Sequence, residues 1–220
     1  MKNTKFYSLW LAIITIGIFV LQNLPGIPGF TETFVLNQLA VTNYQYYRFL
    51  TAIFLHGSIT HLLFNLFALL FFGLILEKSL GSNKFLLTFL LSGIIANIIA
   101  VNYYTSSLGA SGAIYGIIGA LTIIRPLMMV WAFGLIMPMF IASIFYITAD
   151  ILRALGAFGP TNIGSIAHLS GIGVGIIIGI LLKINKRKSI KSKDEQNQPN
   201  IKIEFDDYQI KNFEDNFMKQ

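Results

Sequence analysis

The chain has 220 residues, of which 55% are apolar, 12% are charged and none is cysteine, and its mean hydropathy is +0.67. A soluble domain carries about 25% charged residues, so this composition excludes an ordinary soluble protein, and the lack of cysteine excludes disulfide scaffolds, thiol catalysis and cysteine-ligated metal sites. The formal charge is +6, but the basic residues flank apolar segments, where they report membrane orientation rather than a nucleic-acid partner.

Six apolar segments predict transmembrane helices. They are residues 6–24, 59–77, 85–101, 111–124, 127–147 and 163–182. The first segment follows two lysines, as a signal peptide does, but no A-x-A cleavage site comes after it, and we interpret it as a retained helix. The sequence therefore predicts an all-α membrane protein, with a six-helix transmembrane domain over 1–182 and a polar cytoplasmic tail over 183–220 that we expect to be disordered.

Basic residues near the ends of these segments predict the orientation of the chain. With the N-terminus inside, eleven of them fall on the cytoplasmic side and only Arg48 and Arg153 fall outside. The eleven are Lys2, Lys5, Lys78, Lys84, Arg125, Lys183, Lys186, Arg187, Lys188, Lys191 and Lys193. We therefore expect a multi-pass protein of the cell membrane with both termini in the cytoplasm, and external connections at 25–58, 102–110 and 148–162.

Two segments outside the predicted helices have a distinctive composition. Residues 25–58 form a long connection rich in aromatic and aliphatic residues, which is typical of short amphipathic helices in the membrane interface. Residues 183–193 hold six basic residues and no acid, whereas 194–220 hold seven acids and three bases. We interpret this end as a solvated tail that touches anionic lipid; a docking site for a partner is the alternative.

Strongly polar residues within the predicted helices share one depth, and such residues indicate function by default. They are His61, Asn65, Ser111 and His168. At a rise of 1.5 Å per residue they lie about 18 to 24 Å above the inner interface, in a hydrocarbon core of about 30 Å. The segment 111–124 is too short to span alone, so the loop before it must enter the membrane and line a water-filled cavity. We expect this cavity to open outward.

A serine beside a neutral histidine is a nucleophile with its general base, and Ser111 with His168 forms this pair. Asp150 and Glu32 fall in predicted external segments, so we expect no carboxylate at this depth and a Ser-His dyad instead of a Ser-His-Asp triad. The histidine would then be oriented by packing. Tyr115, one helical turn after Ser111, is either a wall for the imidazole ring or an ordinary core aromatic.

Acyl transfer also needs hydrogen-bond donors for the developing oxyanion. His61 and Asn65 lie four residues apart on one helical face and point an imidazole and an amide toward the predicted cavity. The backbone N–H of Ser111, at the start of its helix, adds a further donor. Gly109 and Gly112 flank the serine and are expected to let the backbone approach a substrate carbonyl closely.

Three segments resemble the rhomboid intramembrane serine proteases in order and spacing, over residues 45–182. They are H-G-S-I-T-H-L-L-F-N-L (56–66), G-A-S-G-A-I-Y-G (109–116) and A-H-L-S-G-I-G-V-G (167–175). The resemblance implies a rhomboid-like bundle of six transmembrane helices with a membrane-embedded first external loop. Its site would comprise Ser111 as nucleophile, His168 as base, His61 and Asn65 as oxyanion-hole side chains, Tyr115 packed on His168, and His56 in a structural role.

The resemblance also implies what the protein acts on: single-span membrane proteins in the lipid bilayer, cut near the outer face, with no cofactor and no metal. Two positions depart from the family pattern. Tyr47-Arg48 stands where Trp-Arg is common, which bears on anchoring of the loop, and E-K-x-L-G (77–81) carries Ser79 where an arginine is usual. We therefore expect the inner turn after the second helix to be held differently.

Glycines in two predicted helices carry structural expectations. Gly171, Gly175 and Gly179 follow His168 at four-residue spacing, a pattern typical of close helix contact, which predicts that the last helix packs tightly on the helix of Ser111. Gly134 and Pro138 lie in the fifth predicted helix, where they ease the bending of a lateral gate or are simply packing defects that face lipid.

Two rival functions use the same residues. A rhomboid-like pseudoprotease would bind client helices without cutting them, but the presence of both Ser111 and His168 argues against it. A small transporter or channel would continue its polar residues into the inner half of the membrane, and there the second, fourth and sixth helices are nearly all apolar. The sequence does not predict the oligomeric state or identify individual substrates.

Overall fold

The computed structural model describes residues 5–159, 163–196 and 211. The chain divides into two compact units, Met1–Ile184 and Asn185–Gln220. Lys2 and most of the predicted tail lie outside the described residues. The predicted boundary after residue 182 and the disorder of the tail therefore stay predictions, although the last helix continues as far as Gln196.

Helices form most of the described chain. They are α1 Tyr7–Gln22, α2 Phe30–Phe34, α3 Gln38–Thr42, α4 Arg48–Thr51, α5 Ile59–Ala68, α6 Leu74–Leu80, α7 Ser82–Ala100, α8 Ser111–Ile124, α9 Met139–Ala154 and α10 Ser165–Gln196. A π-helical segment, Leu69–Gly73, joins α5 and α6, and a 3-10 turn, Ala52–Phe54, follows α4. The described residues also form four short strands: β1 Leu36–Asn37, β2 Ser106–Ser107, β3 Met129–Ala132 and β4 Leu135–Pro138.

The apolar helices match most of the predicted membrane segments. In the described part of the chain, Ile59–Leu80, Ser82–Ala100 and Ser165–Asn185 are long and apolar enough to cross a membrane. Helices α1 and α8 are apolar but shorter, at 16 and 14 residues. The expectation of a mostly helical membrane protein is therefore confirmed, whereas the count of six transmembrane spans stays a prediction.

The fifth predicted helix is wrong in its first half. Residues 129–138 form an antiparallel hairpin in which β3 pairs with β4, with Val130 opposite Met137. Its two-residue turn, Phe133-Gly134, has φ of 54° and 79°, and positive φ at both turn positions matches the right-handed twist of the paired strands. Pro138 ends β4 directly before α9 begins. The glycine and the proline thus delimit a hairpin rather than weaken a helix.

The first long connection contains the short helices α2, α3 and α4. The Arg48 side chain of this connection is buried, at 9% exposed, and its Nη1 donates to the carbonyls of Glu32 at 2.6 Å and Val35 at 2.9 Å. Strand β1 pairs antiparallel with β2. The connection is therefore tied both to itself and to the segment that leads into α8. Its position in the membrane interface stays a prediction.

A buried carboxylate holds the turn between α6 and α7. Glu77 is 1% exposed and accepts hydrogen bonds from three residues: Tyr7 N–H at 2.7 Å, Ser8 N–H at 2.9 Å and Oγ at 2.7 Å, and Ser82 Oγ at 2.6 Å. The N-terminus of α1 also favours a negative charge. One side chain therefore joins α1, α6 and α7, which agrees with an inner turn held without the usual arginine.

The predicted tight contact between the last helix and the helix of Ser111 is confirmed. A Cβ atom at Gly171 would collide with the carbonyl oxygen of Gly112, and one at Gly175 with that of Gly116. A Cβ at Gly179 would lie 3.0 Å from the Cβ of Ile123. Helices α8 and α10 therefore meet backbone to backbone, and we call this contact (Gly112, Gly116, Gly171, Gly175 and Gly179) the glycine seam.

Candidate active site

Ser111 is the first residue of α8, where an irregular loop becomes a helix. Gly109, just before it, has φ of +119°, a conformation that favours glycine, and its N–H donates to the Ala52 carbonyl at 2.9 Å. This turn places the half-buried Ser111 at a helix N-terminus, where the first backbone N–H groups lack intrahelical acceptors. The serine is thus presented together with free backbone donors.

His168 reaches Ser111 from the first turn of α10. Its Nε2 lies 2.9 Å from Ser111 Oγ, and the residue is 8% exposed. The imidazole stacks on the ring of Tyr115, with centroids 4.2 Å apart and planes 13° apart. Of the two interpretations of Tyr115, the wall for the imidazole is the one that this geometry matches.

His61 and Asn65 approach the same loop from α5. A Cβ atom at Gly109 would lie 2.7 Å from His61 Cε1 and 3.9 Å from Asn65 Nδ2, so both side chains reach the backbone two residues before Ser111. Asn65 is 7% exposed and its Nδ2 donates to the His61 carbonyl at 3.0 Å. The structure therefore brings both predicted donors to the loop that carries the serine.

Gly112 has a different role from the expected one. It is buried, and a Cβ atom there would lie 2.8 Å from the Cβ of Ala96 in α7 and 3.5 Å from the carbonyl oxygen of Ala167 in α10. Its missing side chain makes room for two neighbouring helices, not for a substrate. Gly109 is the glycine that faces His61 and Asn65.

The expectation that no carboxylate lies at the depth of Ser111 and His168 is wrong. Asp150 is in α9, fully buried at 0% exposed, and its oxygens lie 3.2 and 3.3 Å from His168 Nδ1. The same carboxylate lies 3.2 Å from Nη1 of Arg153, one turn later. The His168 ring therefore contacts Ser111 through Nε2 and Asp150 through Nδ1.

Sequence reasoning missed Asp150 because it placed the fifth helix too early. The hairpin takes up residues 129–138, so α9 starts at Met139 and runs to Ala154. A helix ending near residue 147 would have left Asp150 in an external loop. One signal was present: apolar residues continue on both sides of Asp150, and Gly156, which has positive φ, is the next helix-ending residue.

His56 lies in the connection before α5, outside the spanning helices, and its ring is 5.0 Å from that of His61. Its backbone N–H donates to Gln22 Oε1 at 3.0 Å, and its Nδ1 lies 3.3 Å from the Phe54 carbonyl. Burial, with the neighbouring His61, lowers the pKa of His56 to about 4. This residue is therefore neutral at pH 7 and ties the connection to α1, which agrees with a structural role.

Comparison with known proteins shows similarity to one family over most of the chain. The family model for the rhomboid domain matches residues 43–185. Rhomboid protease GluP of Bacillus subtilis is 33% identical over 190 residues, which cover 82% of this chain and 35% of GluP. YdcA of the same bacterium is 36% identical over 155 residues, covering 68% of this chain and 74% of YdcA.

A plant relative extends the similarity beyond bacteria. Rhomboid-like protein 11, chloroplastic, of Arabidopsis thaliana is 27% identical over 186 residues, covering 79% of this chain and 64% of that protein. The match thus spans less than two thirds of this relative and of GluP. The rhomboid domain and the apolar helices make the protein an integral membrane protein. Because the domain covers more than half of the chain, the chain belongs to the rhomboid family.

Proposed function

We propose that this protein is an intramembrane serine endopeptidase that cuts transmembrane segments of single-span membrane proteins near the outer face of the cell membrane. The observation that carries the proposal is the 2.9 Å contact between Ser111 Oγ and His168 Nε2. An unprotonated imidazole nitrogen at hydrogen-bond distance from a hydroxyl is the arrangement that activates serine as a nucleophile.

The reaction proceeds in two halves. Ser111 Oγ forms a bond to the scissile carbonyl carbon while its proton moves to His168 Nε2. The carbon–nitrogen bond then breaks, and the same proton passes to the leaving amine. In the second half, water attacks the acyl group, its proton moves to Nε2, and the ester bond to Ser111 breaks as Oγ regains a proton. No cofactor or metal takes part.

The oxyanion formed in each half needs donors. His61 and Asn65 lie against Gly109, and the N–H of Ser111 is at the start of α8. We assign these three groups to the oxyanion hole. Loss of one such donor typically costs about 10²- to 10³-fold in turnover.

The membrane arrangement that goes with this function is the predicted one, except that the fifth helix is α9, Met139–Ala154. Six helices cross the bilayer, both termini are cytoplasmic, and the connection from residue 25 to 58 lies in the outer interface. The exposed rings of Tyr44, Tyr46 and Tyr47 in that connection support the last point, since tyrosine is enriched where membrane meets water. Substrates then reach Ser111 from within the bilayer.

The decisive experiment is cleavage of a reporter single-span protein by purified enzyme in liposomes, with and without chelator. Ser111→Ala and His168→Ala should each lose activity by about 10³-fold or more, and chelator should have no effect. Ser170→Ala is the matched serine control, because its hydroxyl donates only to the Ile166 carbonyl of its own helix, at 2.7 Å, and it should retain activity.

Two outcomes would contradict the proposal. Equal cleavage by wild type and Ser111→Ala would show that another group is the nucleophile. The pseudoprotease that binds client helices would be favoured if the folded wild-type protein cut none of several reporters while both wild type and Ser111→Ala still bound them.

A further inference from the structure

The proposed Ser-His reaction leaves one buried ionisable group of the site without a role, the Asp150 carboxylate. We infer that Asp150 is a positioning residue: it holds His168 with the proton on Nδ1, so that Nε2 is free to accept the proton of Ser111. This inference rests on the proposed function and extends it from a dyad to a triad, in which Asp150 orients His168 and takes up no proton.

The geometry sets the direction of each hydrogen bond. An ionised carboxylate only accepts, and a neutral imidazole has one N–H. With Asp150 at 3.2 Å from Nδ1, the proton belongs on Nδ1, and Nε2, 2.9 Å from Ser111 Oγ, is left as the acceptor. Without Asp150 the two tautomers would compete, and the Nε2–H form cannot act as the base.

Burial strengthens the contact between Asp150 and His168. Asp150 is 0% exposed and His168 8% exposed, so little water competes for either group. When His168 takes up the serine proton it becomes a cation, and a carboxylate already in contact stabilises that charge without reorganisation. The other titratable groups facing the pair are Tyr115 from α8, His61 from α5 and Arg153 on α9 itself.

The competing explanation is that Asp150 serves only as a structural partner for Arg153. The two are 3.2 Å apart, but the arginine side chain is 30% exposed while the carboxylate is fully buried, so water already solvates part of the guanidinium. An arginine at the surface also needs no fully buried partner. The hydroxyls of Tyr115 and Ser165 also face the carboxylate, and the contact with His168 Nδ1 is the one that links it to the proposed base.

The test compares Asp150→Asn with Arg153→Gln, which removes the arginine but leaves the carboxylate on His168. In liposome cleavage assays, Asp150→Asn should lower kcat about 100-fold or more while KM changes less than about threefold. Arg153→Gln should keep kcat within about threefold of wild type, because it leaves the carboxylate in contact with His168 Nδ1. In a His168→Ala background, Asp150→Asn should cause no further loss, because the imidazole that Asp150 positions is already absent.

A second readout does not depend on cleavage. The chain has three histidines, so ¹⁵N-histidine labelling gives few ring signals, and the His168→Ala variant assigns those of His168. In wild type, Nε2 of His168 should show the shift of an unprotonated nitrogen, and Asp150→Asn should lose this preference. Thermal unfolding of each variant shows that the protein is folded, and partial recovery of kcat in Asp150→Glu would support a requirement for the charge.

The outcomes separate the inference from the proposed function. If wild type cleaves and Asp150→Asn cleaves equally well, or Arg153→Gln loses as much kcat as Asp150→Asn, the positioning role is wrong while the serine mechanism stands. If wild type does not cleave, the proposed function fails. An unchanged His168 tautomer in Asp150→Asn would independently overturn the role assigned to the carboxylate.

Discussion

The two sides of the site are built by different kinds of contact. On one side, the glycine seam brings α8 and α10 together backbone to backbone and sets Ser111 next to His168. On the other side, side chains make the contacts: α9 reaches His168 through Asp150, and α9 and the hairpin reach Tyr115 through aromatic rings. Phe133 lies 4.8 Å from Tyr146, and Tyr146 lies 5.7 Å from Tyr115.

The two kinds of contact differ in how far they can adapt to a substitution. Two backbones in contact cannot yield to an added atom without moving a whole helix, whereas packed side chains can change rotamer and fill part of a gap. The seam therefore fixes the nucleophile and its base, while the aromatic side supports the ring of His168 and the helix that carries Asp150. Substitutions on the two sides should differ in size accordingly.

The largest effect is expected in the seam. Gly175→Ala would drive a Cβ into the Gly116 carbonyl, whereas a Cβ at Gly173, two residues earlier on α10, meets nothing within 4 Å. We expect Gly175→Ala to lower the free energy of unfolding by about 1 to 3 kcal/mol and to reduce cleavage. Gly173→Ala should stay within about 1 kcal/mol of wild type. Thermal unfolding in detergent measures both, and equal stability of the two variants would mean that the seam is not tight.

An intermediate effect is expected at Tyr115, which lies between the two sides. Tyr115→Ala removes the ring that stacks on His168 at 4.2 Å and should lower kcat about tenfold, since aromatic pairs are worth about 0.5 to 1.5 kcal/mol beyond area burial. Tyr115→Phe keeps the ring and should lose less. Tyr103→Ala, at a residue 65% exposed, is the matched control. Wild-type kcat in Tyr115→Ala would show that the ring does not support the base.

The smallest effect is expected at the tip of the hairpin. Phe133→Ala removes the contact with Tyr146 and should cost about 1 kcal/mol of unfolding free energy. Because Phe133 has φ of 54°, Phe133→Gly removes the same ring but relieves a conformation unfavourable for side chains by about 1 kcal/mol. The glycine variant should therefore be the more stable of the two in thermal unfolding. The reverse order would mean that the turn lacks this conformation in solution.

Predictions from sequence succeeded where local pattern decides structure. The spacing of Gly171, Gly175 and Gly179 predicted the seam, and runs of apolar residues predicted α1, α7 and α8 closely. They failed at residues 129–138, where apolar residues in a membrane protein fit either a helix or a hairpin. Because the hairpin was not predicted, the fifth helix was placed too early in the sequence, and Asp150 fell in a predicted external segment.

The membrane class, the apolar helices and the four polar residues His61, Asn65, Ser111 and His168 follow from composition, length and spacing, which are local properties of the chain. The folded protein was needed to show that Asp150 contacts His168 and that Gly112 packs against α7 and α10. These contacts join residues far apart in sequence, and the position of α9 depends on how the hairpin before it folds. Burial next to a particular partner is a property of the assembled helices, and no stretch of sequence contains it.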